Sequence, residues 1–520
     1  MSLSTLDLLV IAAYAVVLVG TAWWVSRLRP GEVRDTRDYF LAGNRLPWWA
    51  VGASLIAANI SAEQIIGMSG SGYAIGLAIA SYEWMAAITL IIVGKYFLPV
   101  FLEHRIYTMP QFLEQRYDHS VRTLLAVFWL GVYTFVNLTS VLWLGALAIE
   151  TVAGVGMTQG MLLLAAFAAV YSLWGGLKAV ALTDIIQIVV LVIGGLLLTW
   201  LCLDRLGDGQ GALAGFLALL ERAPEKFDMI LEPDNPHYMS LPGISVLVGG
   251  MWIMNLSYWG FNQYIVQRAL AARDLEEGRK GIAFAAYLKL LMPVIVVLPG
   301  IAAAVLAPGL ERPDQAYPTM MRLMPAGVLG LVFAALIAAI VSSLGSMMNS
   351  ISTIFTMDLY AHLRPGRSEN HYVWIGRSAA FAALVLALFC ARPLLGRFEQ
   401  AFQYIQEFTG FFTPGICVLF LLGLFWKKAN TPAALVAAAG SALLSLLFYV
   451  LWPSLPFIDR VGLVFLLCTA GAVLTAHLTG GRDQPKAPDL SRIRFATSTG
   501  YNIAGLGVAL ILAALYATWW

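Results

Sequence analysis

The chain has 520 residues, 60% of them hydrophobic and only 12% charged, with a mean hydropathy of +0.77. A soluble domain typically carries about 25% charged residues, so apolar runs from end to end mark a polytopic membrane protein and exclude a large soluble domain. The same composition argues against a nucleic-acid role, and the formal net charge of +2 decides nothing.

A spanning helix needs roughly 20 apolar residues. Fourteen candidates follow in order: 6–25, 47–71, 75–102, 121–150, 158–177, 181–203, 241–265, 280–307, 326–359, 372–395, 399–425, 431–452, 460–480 and 500–520. The first, within MSLSTLDLLVIAAYAVVLVG, lacks the basic n-region of a secretory signal, and its arginines follow the apolar run. It reads as a retained helix rather than a cleaved leader.

The second candidate contains LIAANISAEQIIG, residues 55–67, where Asn59, Ser61, Glu63 and Gln64 interrupt the apolar pattern. The seventh contains GGMWIMNLSYWGFNQY, with Gly249–Gly250, Asn255, Ser257, Asn262 and Gln263. The two lie five helices apart, corresponding first positions if helices 2–6 and 7–11 form inverted repeats. Such a pair of broken helices is the best sequence pointer to a transporter's midplane substrate site. Irregular backbone at that depth is tolerated only inside protein or around a cavity.

Further along, single polar groups stand in apolar surroundings, where an ionisable side chain is costly and points to function. Glu83 in ASYEWMAAITL and Lys289 in AAYLKLLMP balance in charge. They suit a buried pair or the two flanks of a neutral ligand. TDIIQ, residues 183–187, opens the sixth candidate, with Thr183 or Asp184 either capping the helix or lining an aqueous ion route. Asn255 and Tyr258, three apart, suit a sugar: an amide serves a donor and an acceptor hydroxyl, and a ring covers the apolar C–H face. In AALIAAIVSSLGSMMNS the adjacent Ser342 and Ser343 serve either close helix packing or a cation. In the latter case, carbonyls around 57–60 would complete the oxygen shell. Gln403, Gln406 and Glu407 in FQYIQEFTG are too dense in polarity to face lipid.

The loop 204–240 is acidic, with seven Asp/Glu against three Lys/Arg, and its GALAGFLALLERA reads as a short surface helix. Loops after odd-numbered candidates carry more than twice the Lys and Arg of the others, which predicts that they are cytoplasmic and that both termini lie outside. Cys202, Cys390, Cys417 and Cys468 lie in apolar runs without metal or redox spacing and read as buried hydrophobes. No Walker A loop or HExxH occurs, and no Ser/His arrangement stands out among the six histidines, so neither an enzyme nor an ATP-driven pump is expected.

Five long segments carry a resemblance: DYFLAGNRLPWWAVGASLIAANISAEQIIGMSGSGYAIGLAIASYEW, YSLWGGLKAVALTDIIQ, YWGFNQYIVQRALAA, AAIVSSLGSMMNSISTIFTMDLY and FQYIQEFTGFFTPGICVLFLLGLFWKK. Together they closely resemble the solute:sodium symporter family across essentially the whole chain. The resemblance implies an all-α, polytopic fold of about fourteen transmembrane helices on a leucine-transporter-type core. In that fold 47–203 and 241–425 form a five-plus-five inverted repeat with helices 2 and 7 broken. The segment 6–25 is an extra first helix, and 431–520 supplies three more within one transmembrane domain.

Residue by residue, the resemblance implies a sugar site at Gln64, Glu83, Asn255, Lys289 and Gln406. Tyr258 resembles an inner gate stacking on the sugar ring, with Tyr82 and Asn262 supporting it. Sodium is implied at the carbonyls of Ala57, Ile60 and Ala339 and the hydroxyls of Ser342 and Ser343, and Asp184 on the ion's inward route. Asn59 and Glu63 are left as structural or gating hydrogen-bonders. Two positions depart from the family's pattern: Ala86 replaces an expected serine contact to the sugar, and Ser257 a second gate aromatic. The expected activity is inward symport of a neutral hexose with sodium across the plasma membrane by alternating access. Another small solute, such as an inositol, an amino acid or a sialic acid, is the alternative.

Overall fold

The computed structural model describes residues 3–26, 46–104, 109–174 and 177–520, and the backbone alone at 19, 22–26, 111, 171–174, 177–185 and 264. Extended pairing among the described residues is limited to one bridge between Leu46 and Ala272; everything else ordered is helical. Nine unbroken helices are long and apolar enough to cross a membrane among the described residues. Two bent pairs, Trp48–Asn59 with Glu63–Ala74 and Ala401–Thr409 with Thr413–Phe425, raise the number to eleven. The other expected spans, 6–25, 158–177 and 241–265, are helical too, at Thr5–Ser26, at Met157–Trp174 and, in pieces, from Ser245 onward.

The helix Leu275–Leu306 is the hub, packed on Trp48–Asn59, Met68–Ala74 and Ser81–Ile92. Asp274 caps its N-terminus by accepting the Glu277 N–H at 2.9 Å. Two glycines permit the close approach. A Cβ on Gly52 would lie 2.6 Å from the Gly281 carbonyl, and one on Gly300 would lie 2.1 Å from the Ser69 carbonyl. Without a hydrophobic force between helices in lipid, such small-residue contacts are what let van der Waals packing hold them. The hub therefore packs both on the first broken helix and on the element that carries Glu83.

The polar segment 55–67 falls at the first break. The helix ends at Asn59, Ile60 is extended (φ −72°, ψ 110°), and a π-helical turn over Glu63–Gly67 leads into Met68–Ala74, with a bend of 67° across the pair. In the second interrupted segment, Gly250–Leu256 passes into a π turn at Ser257–Phe261. Asn262 then turns extended (φ −78°, ψ 124°) before Gln263–Leu270 resumes.

Two expectations need correction. The candidate span 399–425 reads as one helix in the sequence but bends by 46° between Ala401–Thr409 and Thr413–Phe425. Gly410 ends the first part, and Pro414, which has no N–H to donate, sits in the first turn of the second. Thr183 and Asp184 do not cap a helix, because Leu177–Leu206 is already helical before them. The side chain of Asp184 lies outside the described residues, as does 38–45 of the segment that opens the family resemblance. The acidic loop does hold a short helix, Ala212–Arg222, with Leu219 inward and Leu213 and Leu217 exposed.

Candidate functional site

Both breaks open onto one central cavity of about 1140 Å³, counting the part continuous with solvent. Gln64, Glu83, Asn255, Lys289 and Gln406 all line it, as do Tyr82, Tyr258 and Asn262. Eight residues drawn from five distant parts of the sequence thus converge on one space. Ala86 and Ser257, the two departures, face the same cavity.

Its wall holds an ion pair. Lys289 Nζ donates to Glu83 Oε2 at 2.6 Å, with side chains 1% and 3% exposed. The same ammonium donates to Asn59 Oδ1 and stands 4.9 Å over the Trp259 ring. Buried charges persist only when paired and hydrogen-bonded in this way. Asn59 in turn donates from Nδ2 to the Tyr258 hydroxyl at 2.9 Å. A chain of side chains, Glu83–Lys289–Asn59–Tyr258, therefore ties the element after the first break, the hub and both broken helices together.

The cavity also holds polar atoms with no protein partner. Gln64 Oε1, the Tyr82 hydroxyl and Asn262 Oδ1 are buried and unpaired. Leaving such groups unmade costs about 1–3 kcal/mol each, so a ligand rich in hydroxyls would relieve them. Asn255 is anchored through Nδ2 to the Met251 carbonyl at 3.1 Å, which fixes its amide plane at the wall. Tyr82 meets Phe402 edge to face at 5.1 Å, building an aromatic side to the cavity.

A second cavity of about 660 Å³ adjoins the first break. Ala57, Ala339, Ser342 and Ser343 line it; Ile60, the fifth residue expected there, is buried but is not part of its lining. Asn59, Glu63, Tyr133, Tyr258 and Met347 line both cavities, so they form the wall between them. Hydroxyls and backbone carbonyls are the ligands hard cations take. Arg268 also lines this space and donates to Ser54 Oγ at 3.1 Å.

Asn59 makes hydrogen bonds as the sequence suggests, and its partners, which the sequence does not name, are Lys289 and Tyr258. Trp259, Asn137 and Phe402 were not singled out. Trp259 lies under the Lys289 ammonium, Asn137 donates to Glu63 Oε1 at 3.4 Å, and Phe402 packs on Tyr82. An apolar-run aromatic or a lone asparagine carries no local signal that distinguishes these roles. Glu407, one of the polar residues of FQYIQEFTG, is paired with Arg460 at 3.3 Å, while both amide atoms of Gln403 are buried without a partner.

The model of the sodium:solute symporter family matches residues 39–440. The sodium/glucose cotransporter of Vibrio parahaemolyticus is 51% identical over the whole chain and 99% of its own length. The human sodium/myo-inositol cotransporter 2 is 34% identical, over 86% of this chain and 70% of its own. Among solved structures, a sodium-coupled sialic acid symporter in a substrate-bound outward-open state superposes with a TM-score of 0.75, at 23% identity, covering 91% of this chain and 98% of that one. A closed nucleobase-cation-symport-1 family transporter follows at 0.54 and 13%, covering 87% and 98%. These two show the shared helical architecture.

Proposed function

The chain belongs to the sodium:solute symporter family, and on that premise we propose that this sodium-coupled symporter carries a neutral hexose of the galactose or glucose type into the cell by alternating access. The observation that carries the reading is the Lys289–Glu83 pair in the cavity wall. Lys289 is the one basic side chain among the described residues lining that cavity, and Glu83 already neutralises it. A carboxylated solute would find no free cation and would face Glu63 instead. An uncharged polyol would find Gln64, Asn255 and Gln406 as hydrogen-bonding groups, with Tyr258 as a ring to stack on.

In this reading sodium binds between Ala57, Ile60 and Ala339 carbonyls and the Ser342 and Ser343 hydroxyls, with Asp184 further along its inward route. The shared wall of Asn59, Glu63 and Tyr258 couples the two sites. Coupling of this kind is reciprocal, so sugar tightens sodium by the factor that sodium tightens sugar. A 100 mV potential and a tenfold sodium gradient together supply about 3.7 kcal/mol per ion, enough for roughly 500-fold accumulation. One ion per cycle therefore suffices. The division into repeats 47–203 and 241–425 and the placement of both termini outside the plasma membrane belong to the same reading.

A cyclitol is the second reading, since it is equally neutral and hydroxyl-rich, and a myo-inositol cotransporter is among the relatives. The loss of a hydroxyl contact at Ala86 leaves room for it. Competition against labelled galactose by glucose, myo-inositol, a sialic acid and an amino acid separates the readings. Competition by glucose and not by the other three is the expected result, stronger competition by myo-inositol would favour the cyclitol, and the absence of any sodium-driven galactose uptake to compete with would overturn the proposal.

A further inference from the structure

Away from both cavities, Glu114, His119 and His362 each place one ligand atom within 4.8 Å of the others. Glu114 comes from the short helix Met109–Arg116, and His119 opens the helix His119–Val132. His362 lies in Ala361–Leu363, where the helical run that begins at Val328 ends. The two imidazoles stack at 4.0 Å between centroids with planes 29° apart. From this geometry we propose that Glu114, His119 and His362 form a binding site for a divalent transition-metal ion of the zinc class, distinct from the sodium and substrate cavities.

The charges around the cluster accept a dication. Arg122 bridges Glu114 and Asp358, and Asp358 also faces His362 electrostatically. Counting the two imidazoles as uncharged ligands, two carboxylates and one guanidinium leave one net negative charge around the cluster. Arg122 engages Oε2 of Glu114, which leaves Oε1 as the ligand oxygen. The end of the run from Val328 to Leu363 places the negative pole of a helix beside His362, which favours a cation. His119 sits at the opposite kind of terminus, but Asp118 caps it with Oδ1 on the Ser120 and Val121 N–H groups.

The ligand chemistry selects the metal. Two imidazoles and one carboxylate suit zinc, nickel or cobalt, whereas sodium, magnesium and calcium prefer all-oxygen shells. His119 Nε2 lies 3.2 Å from Thr123 Oγ1; in the tautomer that donates to that hydroxyl, Nδ1 is the free ligand atom. Ligands on one tetrahedral zinc lie about 3.4 Å apart for bonds of about 2.1 Å, so the side chains close by about 1 Å or a little more on binding. Both histidines are exposed and the Glu114 side chain is 41% exposed, so the adjustment is cheap and solvent ions reach the site. Three protein ligands leave the remaining positions to water.

The test uses the full-length, untagged protein in nanodiscs. Zinc binding is titrated calorimetrically, and cobalt is titrated by its visible ligand-field absorption. One zinc per chain is expected, with cobalt giving a tetrahedral or five-coordinate spectrum. His119→Ala and His362→Ala should each weaken zinc at least tenfold and Glu114→Gln less, while His477→Ala, whose ring packs on Trp426 outside the cluster, leaves binding unchanged. Absence of stoichiometric zinc binding to the wild type would overturn the proposal. So would zinc affinity that His119→Ala and His362→Ala leave unaltered, or that His477→Ala reduces equally. Circular dichroism of each variant shows whether a loss reflects unfolding, and a variant that fails to fold is replaced by His362→Gln, held to the same tenfold criterion.

Discussion

Lys289 Nζ and Glu83 Oε2 sit 2.6 Å apart although 206 positions separate them in the chain. The pair is almost fully buried and makes the cavity wall neutral at the point where both broken helices meet the hub. Removing one partner strands the other charge, which costs about 3–5 kcal/mol, whereas replacing both by apolar side chains is often neutral. Glu83→Gln and Lys289→Met should each lower thermal stability sharply, and the double variant should recover most of it while binding no sugar. A double variant no more stable than the singles would contradict an ion pair at this place.

The link from Asn59 Nδ2 to the Tyr258 hydroxyl, 2.9 Å long, is one hydrogen bond in the wall between the two cavities. Tyr258→Phe keeps the ring and removes the bond, worth about 0.5–1.5 kcal/mol. Sugar binding should persist, and the factor by which sugar tightens sodium should fall about two- to tenfold. That factor is read from sodium titrations with and without sugar. An unchanged factor would remove this bond from the coupling path.

Gln64 Oε1 is buried and unpaired in the central cavity. Replacing the amide by an apolar side chain of similar length removes that cost in the empty protein. Gln64→Met is expected to raise the melting temperature without sugar and to weaken sugar binding about tenfold or more. Lower stability without sugar would show that the amide is satisfied.

Asp314 lies between two spans, in the turn Pro313–Gln315, with Oδ2 accepting the Ala401 N–H at 2.9 Å and Oδ1 unpaired. Burial pushes its carboxyl up to about 7, against the downward pull of that N–H and of Arg312. The folded state thus holds a proton that the unfolded chain releases near the ordinary value of 3.8. Stability from this group is full below the unfolded value and declines as pH rises towards about 7, then levels. Asp314→Asn keeps an acceptor for Ala401 and cannot ionise. The melting temperature of the wild type should fall relative to the variant between about pH 5 and pH 7.5; parallel curves would contradict the assignment.

Much of the site was legible because polar groups are conspicuous in apolar runs. Glu83, Lys289 and Asn255 stand out for that reason, and LIAANISAEQIIG marks the first break. Pairing was not legible, since nothing near Lys289 in the sequence names Glu83 or Asn59. The bend at Gly410 was missed because FTGFFTP is apolar enough to pass as continuous helix, and a proline in a first turn only gains meaning once the helix is seen to restart. A cap is one of the two readings of Thr183 and Asp184, because polar residues often open helices. Their helix begins earlier, at Leu177, directly after the sequence pair Gly175–Gly176. Ala57 and Ala339 would act through backbone carbonyls, which no side-chain pattern can reveal.

Labelled galactose uptake into proteoliposomes, measured with an imposed inward sodium gradient and with an equal potassium gradient, tests the central claim most directly. Accumulation above the external concentration with sodium and equilibration alone with potassium is the predicted result. Accumulation that ignores sodium, or no galactose uptake in liposomes that take up another solute with sodium, would contradict it.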